Sequence, residues 1–281
     1  MPLGEFFMKE SYYFDGHVHF PLEGAKIGAM LNTAIERGVD GVCHVDYNGL
    51  KRQDAFFENR DLEGNRLLDE NEFDIQRING TQVRVSSKRG SIDILKSQEV
   101  KSRDGHILAW GIKKAVEPGR SAMKTIENIL IQDGVPVLAH PFGYCGVGRE
   151  ILSYITAMCG REIAVEENGQ FPVTGLYGQA NFNAMVFAGN HGISCFANSD
   201  IHGRYNLEYL KVGDLLHNSL LCVDRDRLKK SLAAIMAGYG KIDHVGNTNS
   251  FVDVILWNLE SVRQNGWSKV ADALKGVILS K

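Results

Sequence analysis

The chain has 281 residues, 44% hydrophobic and 23% charged, with 31 Lys and Arg against 34 Asp and Glu. This is the composition of a folded globular protein, with no basic surface for long nucleic acids and no run of 18 apolar residues to cross a membrane. The five cysteines, at 43, 145, 159, 195 and 222, form no CxxC and are odd in number, and MPLGEFFMKE carries acids too early for a signal peptide, so reduced thiols in a cytoplasmic protein are expected.

Strand-like and helix-like stretches alternate along the chain. Tyr12–Phe20 reads as a strand. In KIGAMLNTAIER, Ile27, Met30, Leu31, Ala34 and Ile35 have helical spacing, and Gly38 stands where a helix stops. Val42–Tyr47 is a second strand. Residues 48–90 are polar and weakly periodic, and read as an excursion over the mouth of the fold containing a short helix and a hairpin. Ile92–Val100 and His106–Ile112 pair around the turn Lys101–Gly105. Next come a helix over Ser121–Gln132, a strand over Val135–Ala139, a helix over Ile151–Cys159 and a strand over Glu162–Glu166. A helix over Asn181–Asn190 and strands over Ile193–Asn198 and Ser219–Val223 follow. Asp224 caps a helix over Arg225–Ala237, and two closing helices occupy about 250–281. Alternation of this kind indicates βα units, a mainly parallel sheet and a single irregular barrel domain.

The chemistry-bearing residues fall at strand ends. His17 and His19 are two apart, so in a strand both imidazoles face one side. Asp200 and His202 repeat that spacing after ISCFA. His140 follows VPVLA, while Glu99 ends one β-rich run and His106 opens the next. Taken singly, each has an ordinary reading: an exposed histidine, a turn-capping aspartate, a solvated edge acid. Together they place seven donors where the strand ends of a barrel meet, which is where barrel active sites lie. Imidazoles mixed with carboxylates suit Zn²⁺, Mn²⁺ or Fe²⁺, and seven donors are more than one tetrahedral ion needs.

The segments DGHVH, SQEVKSRDGHILAWG, GVPVLAHP and NSDIHG resemble, in order, four motifs of the PHP (polymerase and histidinol phosphatase) domain, from about Tyr12 to Gly240. The resemblance implies a distorted (β/α)7 TIM-like barrel, with a two- or three-metal site at the C-terminal ends of its strands, that hydrolyses phosphate esters. It implies that His17, His19, Glu99 and Asp200 hold one metal and that Glu99 bridges to a second, held by His106 and His140. His202 belongs to a third position. Two departures stand out. HVDYN puts Tyr47 where the family has a histidine, and LEGA puts Glu23 where it has an aspartate. Tyrosine, with a reference pKa of about 10, is a poor ligand. Two metals are therefore expected, with Glu23 and Tyr47 beside a weak third position. His44, three residues before Tyr47, points to the other face.

A water on such ions has its pKa lowered to roughly 7, and a pair of ions stabilises both attacking and leaving oxygens. Glu99, Asp200 and His202 are the candidate catalytic residues, with His202 protonating the leaving oxygen when it holds no metal. Arg204, Arg149 and Lys113 are candidates for phosphate oxygens, Arg149 near a helix start. Glu166 and Glu167 read as rim acids, with a supporting role as the alternative. The expected substrate is a small phosphorylated metabolite or nucleotide, and a homo-oligomer is compatible with the sequence. Two other readings stand beside this one. An amidohydrolase-like metal enzyme also begins with HxH but uses a lysine bridge. A PHP domain that has lost catalysis and kept a binding or regulatory role fits Tyr47.

Overall fold

The computed structural model describes residues 12–47, 49–169 and 179–202, together with the backbone of 217–220 and 242–245. The helix expected over 225–237, the closing helices at 250–281 and Arg204 lie outside the described residues. Elements follow the order β1 (Tyr12–His19), α1 (Gly24–Glu36), β2 (Gly41–Asp46), α2 (Lys51–Phe56), β3 (Asp74–Asn79), β4 (Gln82–Ser87), β5 (Gly90–Lys101) and β6 (His106–Trp110). The chain continues with α3 (Ala122–Leu130), β7 (Val135–Leu138), α4 (Gly148–Cys159), β8 (Ala164–Asn168), α5 (Ala180–His191), β9 (Ser194–Asn198), β10 (Ile201–His202), β11 (His217–Leu220) and β12 (Ile242–Val245). Local chemistry sets the helix ends. Gly38, at φ 77°, follows α1 in a conformation that costs glycine little, and Ser121 Oγ accepts the Lys124 amide at the start of α3.

The sheet runs β12-β11-β1-β2-β5-β6-β7-β8-β9 and is curled. Past β9 the chain passes through Ser199 and Asp200 into β10, which lies parallel to β1 with His202 opposite His19. The sheet is mixed rather than mainly parallel, because β6 is antiparallel to both β5 and β7. A tight turn joins β5 to β6 where a βα unit would need a crossover, and a tight turn permits only antiparallel pairing.

The excursion does contain a helix and a hairpin, but the hairpin is not over the mouth. On one edge of the 12-residue β5, the first half pairs with β4 and the second half with β6. The β3–β4 hairpin therefore sits at the N-terminal half of β5, away from Glu99.

Side-chain parity divides the interior. Cys43, Val45, Leu95, Leu108, Trp110, Val137 and Phe196 pack together on the concave face. Val42, Ile92 and Ile94 pack outward beneath α1 and the excursion. β1 breaks this rule in an informative way. Tyr12 and Phe14 face inward, yet Val18 and Phe20, of the same parity, face outward. The register with β2 shifts between Asp15 and Val18. One extra residue flips every later side chain to the other face, and this turns His17 and His19 inward.

Candidate metal centre

At the C-terminal end of the concave face the apolar layer gives way to polar side chains. Continued inward parity delivers Tyr47 from the end of β2, Glu99 from β5, His106 from β6, Glu166 and Asn168 from β8, and Asn198 and His202 from β9 and β10. His140 and Asp200 both lie just past a strand, at φ 32° and 53°. Left-handed backbone at non-glycine residues is costly, and it concentrates at functional sites.

The seven expected donors come together. His17 with His19 and Glu99, His19 with Asp200 and His202, and Glu99 with His106 and His140 each form a group able to hold a metal ion. In the first group His17 Nε2 lies 3.1 Å from His19 Nε2 and 3.3 Å from Glu99 Oε2, and it is also 3.2 Å from Asp200 Oδ1 of the second. His19 Nε2 lies 3.2 Å and 3.7 Å from the same two oxygens. Four donors around an ion at 2.0–2.1 Å in a tetrahedron are about 3.3–3.4 Å apart, so the residues present fit such an ion. The other oxygen of Glu99, Oε1, is 2.6 Å from His106 Nδ1 and 3.5 Å from His140 Nε2.

Electrostatics favours a cation here. Burial opposes ionisation of Glu99, yet His106 and His17 hold its carboxyl well below the usual range. Asp200 is raised by burial, and Glu99 beside it raises it further against the pull of His17. At His17 burial disfavours the charged ring, but Asp200, Glu166 and Glu99 outweigh it and raise the pKa well above its ordinary value. His106, opposed by burial and raised by Glu99, reaches about 10. An entering cation must displace these protons, so affinity should fall as pH falls, by roughly tenfold per unit for each proton displaced. Chelator competition between about pH 8 and pH 6 checks this, and a flat profile would remove His17 and His106 from the ligand set.

Glu166 is not a rim acid. It is fully buried, and its Oε1 lies 2.8 Å from His17 Nδ1. Burial opposes its ionisation, but the His17 ring lowers its pKa, so His17 Nδ1 donates and Nε2 is left facing the cluster. Oε2 accepts from the His140 backbone amide and from Asn168 Nδ2, which also donates to Asp200 Oδ2 at 3.0 Å. Asn198 Nδ2 donates to Oε1. The inward parity shared by Ala164 and Glu166 was the available sequence signal. A Glu166→Gln variant should weaken metal binding 10–100-fold while leaving the fold intact, the usual range for partners behind a ligand. Metal titration with circular dichroism checks it.

Several expected neighbours lie elsewhere. Glu23 immediately precedes α1, is mostly exposed and pairs with Lys26 at 2.7 Å, so it does not reach the cluster. Lys113 is at the opposite end, paired with Asp133 at 3.5 Å. Because β6 is antiparallel, His106 opens it at the mouth and the residues after Trp110 leave at the bottom. Arg149 is exposed at the start of α4, with its guanidinium 5.4 Å from the Phe142 ring centroid. His44 faces outward and stacks on Phe20 at 4.0 Å, as parity requires. Tyr47 does stand at the cluster, its ring 4.8 Å from that of His19 and its hydroxyl 3.5 Å from His202 Nε2. Lys101, which the sequence did not single out, places Nζ 4.4 Å from the Tyr47 ring centroid.

Among the described residues no helix is long and apolar enough to cross a membrane. No family model matches the chain, and no curated protein matches it.

Proposed function

We propose that this chain is a metal-dependent phosphoesterase of PHP type, built on a distorted (β/α)7 barrel. It would act on a small phosphorylated metabolite or nucleotide with two divalent ions, Zn, Mn or Fe. One observation carries the reading. The two oxygens of the buried Glu99 face different imidazole pairs, Oε2 toward His17 and His19, Oε1 toward His106 and His140. A carboxylate so shared could serve two ions at once, which supports a two-ion centre over a single site. Such ions, when bound, supply Lewis-acid activation of water and neutralise charge at phosphorus.

The chain's own residues supply the rest. Glu166 fixes the His17 tautomer, and Asn168 orients Asp200. His202, whose Nε2 lies 3.5 Å from the Tyr47 hydroxyl, would hold a proton for the leaving oxygen. Lys101, over the Tyr47 ring at the mouth, replaces Lys113 as the candidate for the non-bridging oxygens.

Elemental analysis of the purified protein, with phosphate release from a panel of nucleotides and sugar phosphates, tests the proposal. Two equivalents of a transition metal with release are expected. Lys101→Ala should raise KM about tenfold with little change in kcat, the pattern of a lost binding contact. Failure to retain metal after incubation with Mn²⁺ or Zn²⁺ would sink the reading.

A further inference from the structure

A second cavity, of about 180 Å³, lies on the far side of β2 from the metal centre, between β2, α1, α2 and the loop that follows α2. Ile27 and Phe56 give it apolar walls. Leu22 and Leu62 line it too while staying 68% and 60% exposed, so they stand where it meets solvent.

One polar group in this lining is unaccounted for. His44 is 2% exposed, and neither Nδ1 nor Nε2 has a hydrogen-bond partner in the protein. Burial, with the charge of Arg52 adding to it, keeps the ring neutral. One nitrogen therefore carries a proton and the other a lone pair, and native proteins pair nearly all such buried atoms. Packing does not explain the imidazole. Its ring stacks on Phe20 at 4.0 Å and meets Phe56 edge-on at 5.7 Å, contacts that a phenylalanine would make as well.

Charge and size limit what could pair with it. Arg52 and Arg60 line the cavity with Asp61 and Glu63, two of each sign. Arg52 is already engaged by Asp46 and the Phe20 and Pro21 carbonyls, and Asp61 by Asn65 and the Glu63 amide. No net charge is left to draw an ion. A dry cavity of about 150 Å³ takes one benzene ring, so 180 Å³ admits a single ring or a short branched chain with one polar substituent.

We propose that this cavity is a binding site for a small uncharged molecule, an apolar ring or short chain bearing a hydroxyl or carboxamide that hydrogen-bonds the His44 imidazole. The site is separate from the metal centre, since β2 sends Tyr47 to the concave face and His44 to the other, and it stands or falls independently of the phosphoesterase reading.

Phenol and toluene, matched in size, test this on the full chain, followed by NMR of the Ile27, Leu22 and Leu62 methyl groups and of the His44 ring nitrogens. Phenol should give saturating shifts at these groups with a Kd near about 1 mM, and bind about tenfold more tightly than toluene. Toluene is the more hydrophobic and would win in a cavity that offered no hydrogen bond, so this order reports the partner. His44→Phe should reverse the order. If that variant fails to fold, Ala55→Met, which fills the cavity from α2, should abolish binding of both. No saturable shift up to about 5 mM phenol overturns the proposal, as does toluene binding as tightly as phenol to the wild type. Shifts confined to the histidines of the metal cluster also overturn it. So does a His44 ring N–H already hydrogen-bonded to the protein before phenol is added.

Discussion

Glu99→Gln should reduce bound metal from two equivalents to one or fewer and lower phosphate release by a factor of about 10³ or more, equivalent to roughly 4 kcal/mol of barrier. The substitution barely changes shape, so the loss isolates charge and lone pairs. An amide can accept through one atom only. Either the pair His17 and His19 or the pair His106 and His140 would then face an N–H instead of an oxygen. Removing a negative charge from a buried group of imidazoles also removes what attracts a cation there. His106 should respond too, since Glu99 is what raises its pKa to about 10, and NMR titration should find it displaced toward the ordinary histidine value. The effect should exceed that of Glu166→Gln by at least tenfold, because Glu166 stands behind His17 and would not itself hold an ion. Unchanged metal stoichiometry in Glu99→Gln would remove the bridge and with it the two-ion reading.

Gly16→Ala should cost about 3–5 kcal/mol of stability and lower Tm by on the order of 10 °C, from overpacking together with disturbed buried hydrogen bonds. A methyl group at Gly16 would lie 2.1 Å from Cζ2 and 2.8 Å from Cε2 of Trp110, and 2.7 Å from Asn198 Oδ1. None of these atoms is a flexible tip. The indole is held edge-on by Phe14 and Phe196, at 5.6 and 5.0 Å between centroids. Gly16 is also tied by both backbone groups: its carbonyl accepts Trp110 Nε1–H at 2.8 Å, and its amide donates to Asn198 Oδ1 at 2.9 Å. Gly16 lies within the register shift of β1. If the strand relaxed to escape the clash, His17 and His19 would turn away from the concave face, and metal binding would fail with stability. Calorimetry and metal content should drop together, and Trp110→Phe in the same chain should restore part of both by removing the offending ring edge. A Tm within about 2 °C of wild type would show that the close approach of Trp110 does not constrain β1.

The seven donors were legible because each sits at or beside the end of a β-rich run, where sequence spacing and strand period are enough to choose a face. His17 with His19 and Asp200 with His202 needed only the period of two. Which cations stand at the mouth was not legible for the complementary reason. Whether a lysine lies at the mouth or the bottom depends on strand direction, and the turn Lys101–Gly105 reverses it. Lys113 was therefore carried to the far end, and Lys101, at the close of β5, stands at the mouth instead. Glu23 failed because it stands just before α1 with its side chain in solvent, paired with Lys26. Glu166 was misjudged because an acid near a strand end looks solvated until the neighbouring strands close over it.

By itself, then, the sequence determined the order of most of the described strands and helices, the shared face of donors spaced two apart and the residue types of the cluster, since these follow from short-range spacing and residue type. Only the tertiary structure decided which oxygen of Glu99 faces which imidazoles, that Glu166 stands behind His17, and that a bulge in β1 aims the first histidine pair. Those depend on register between strands far apart in the chain. A one-residue shift between strands reverses a face without changing any local pattern.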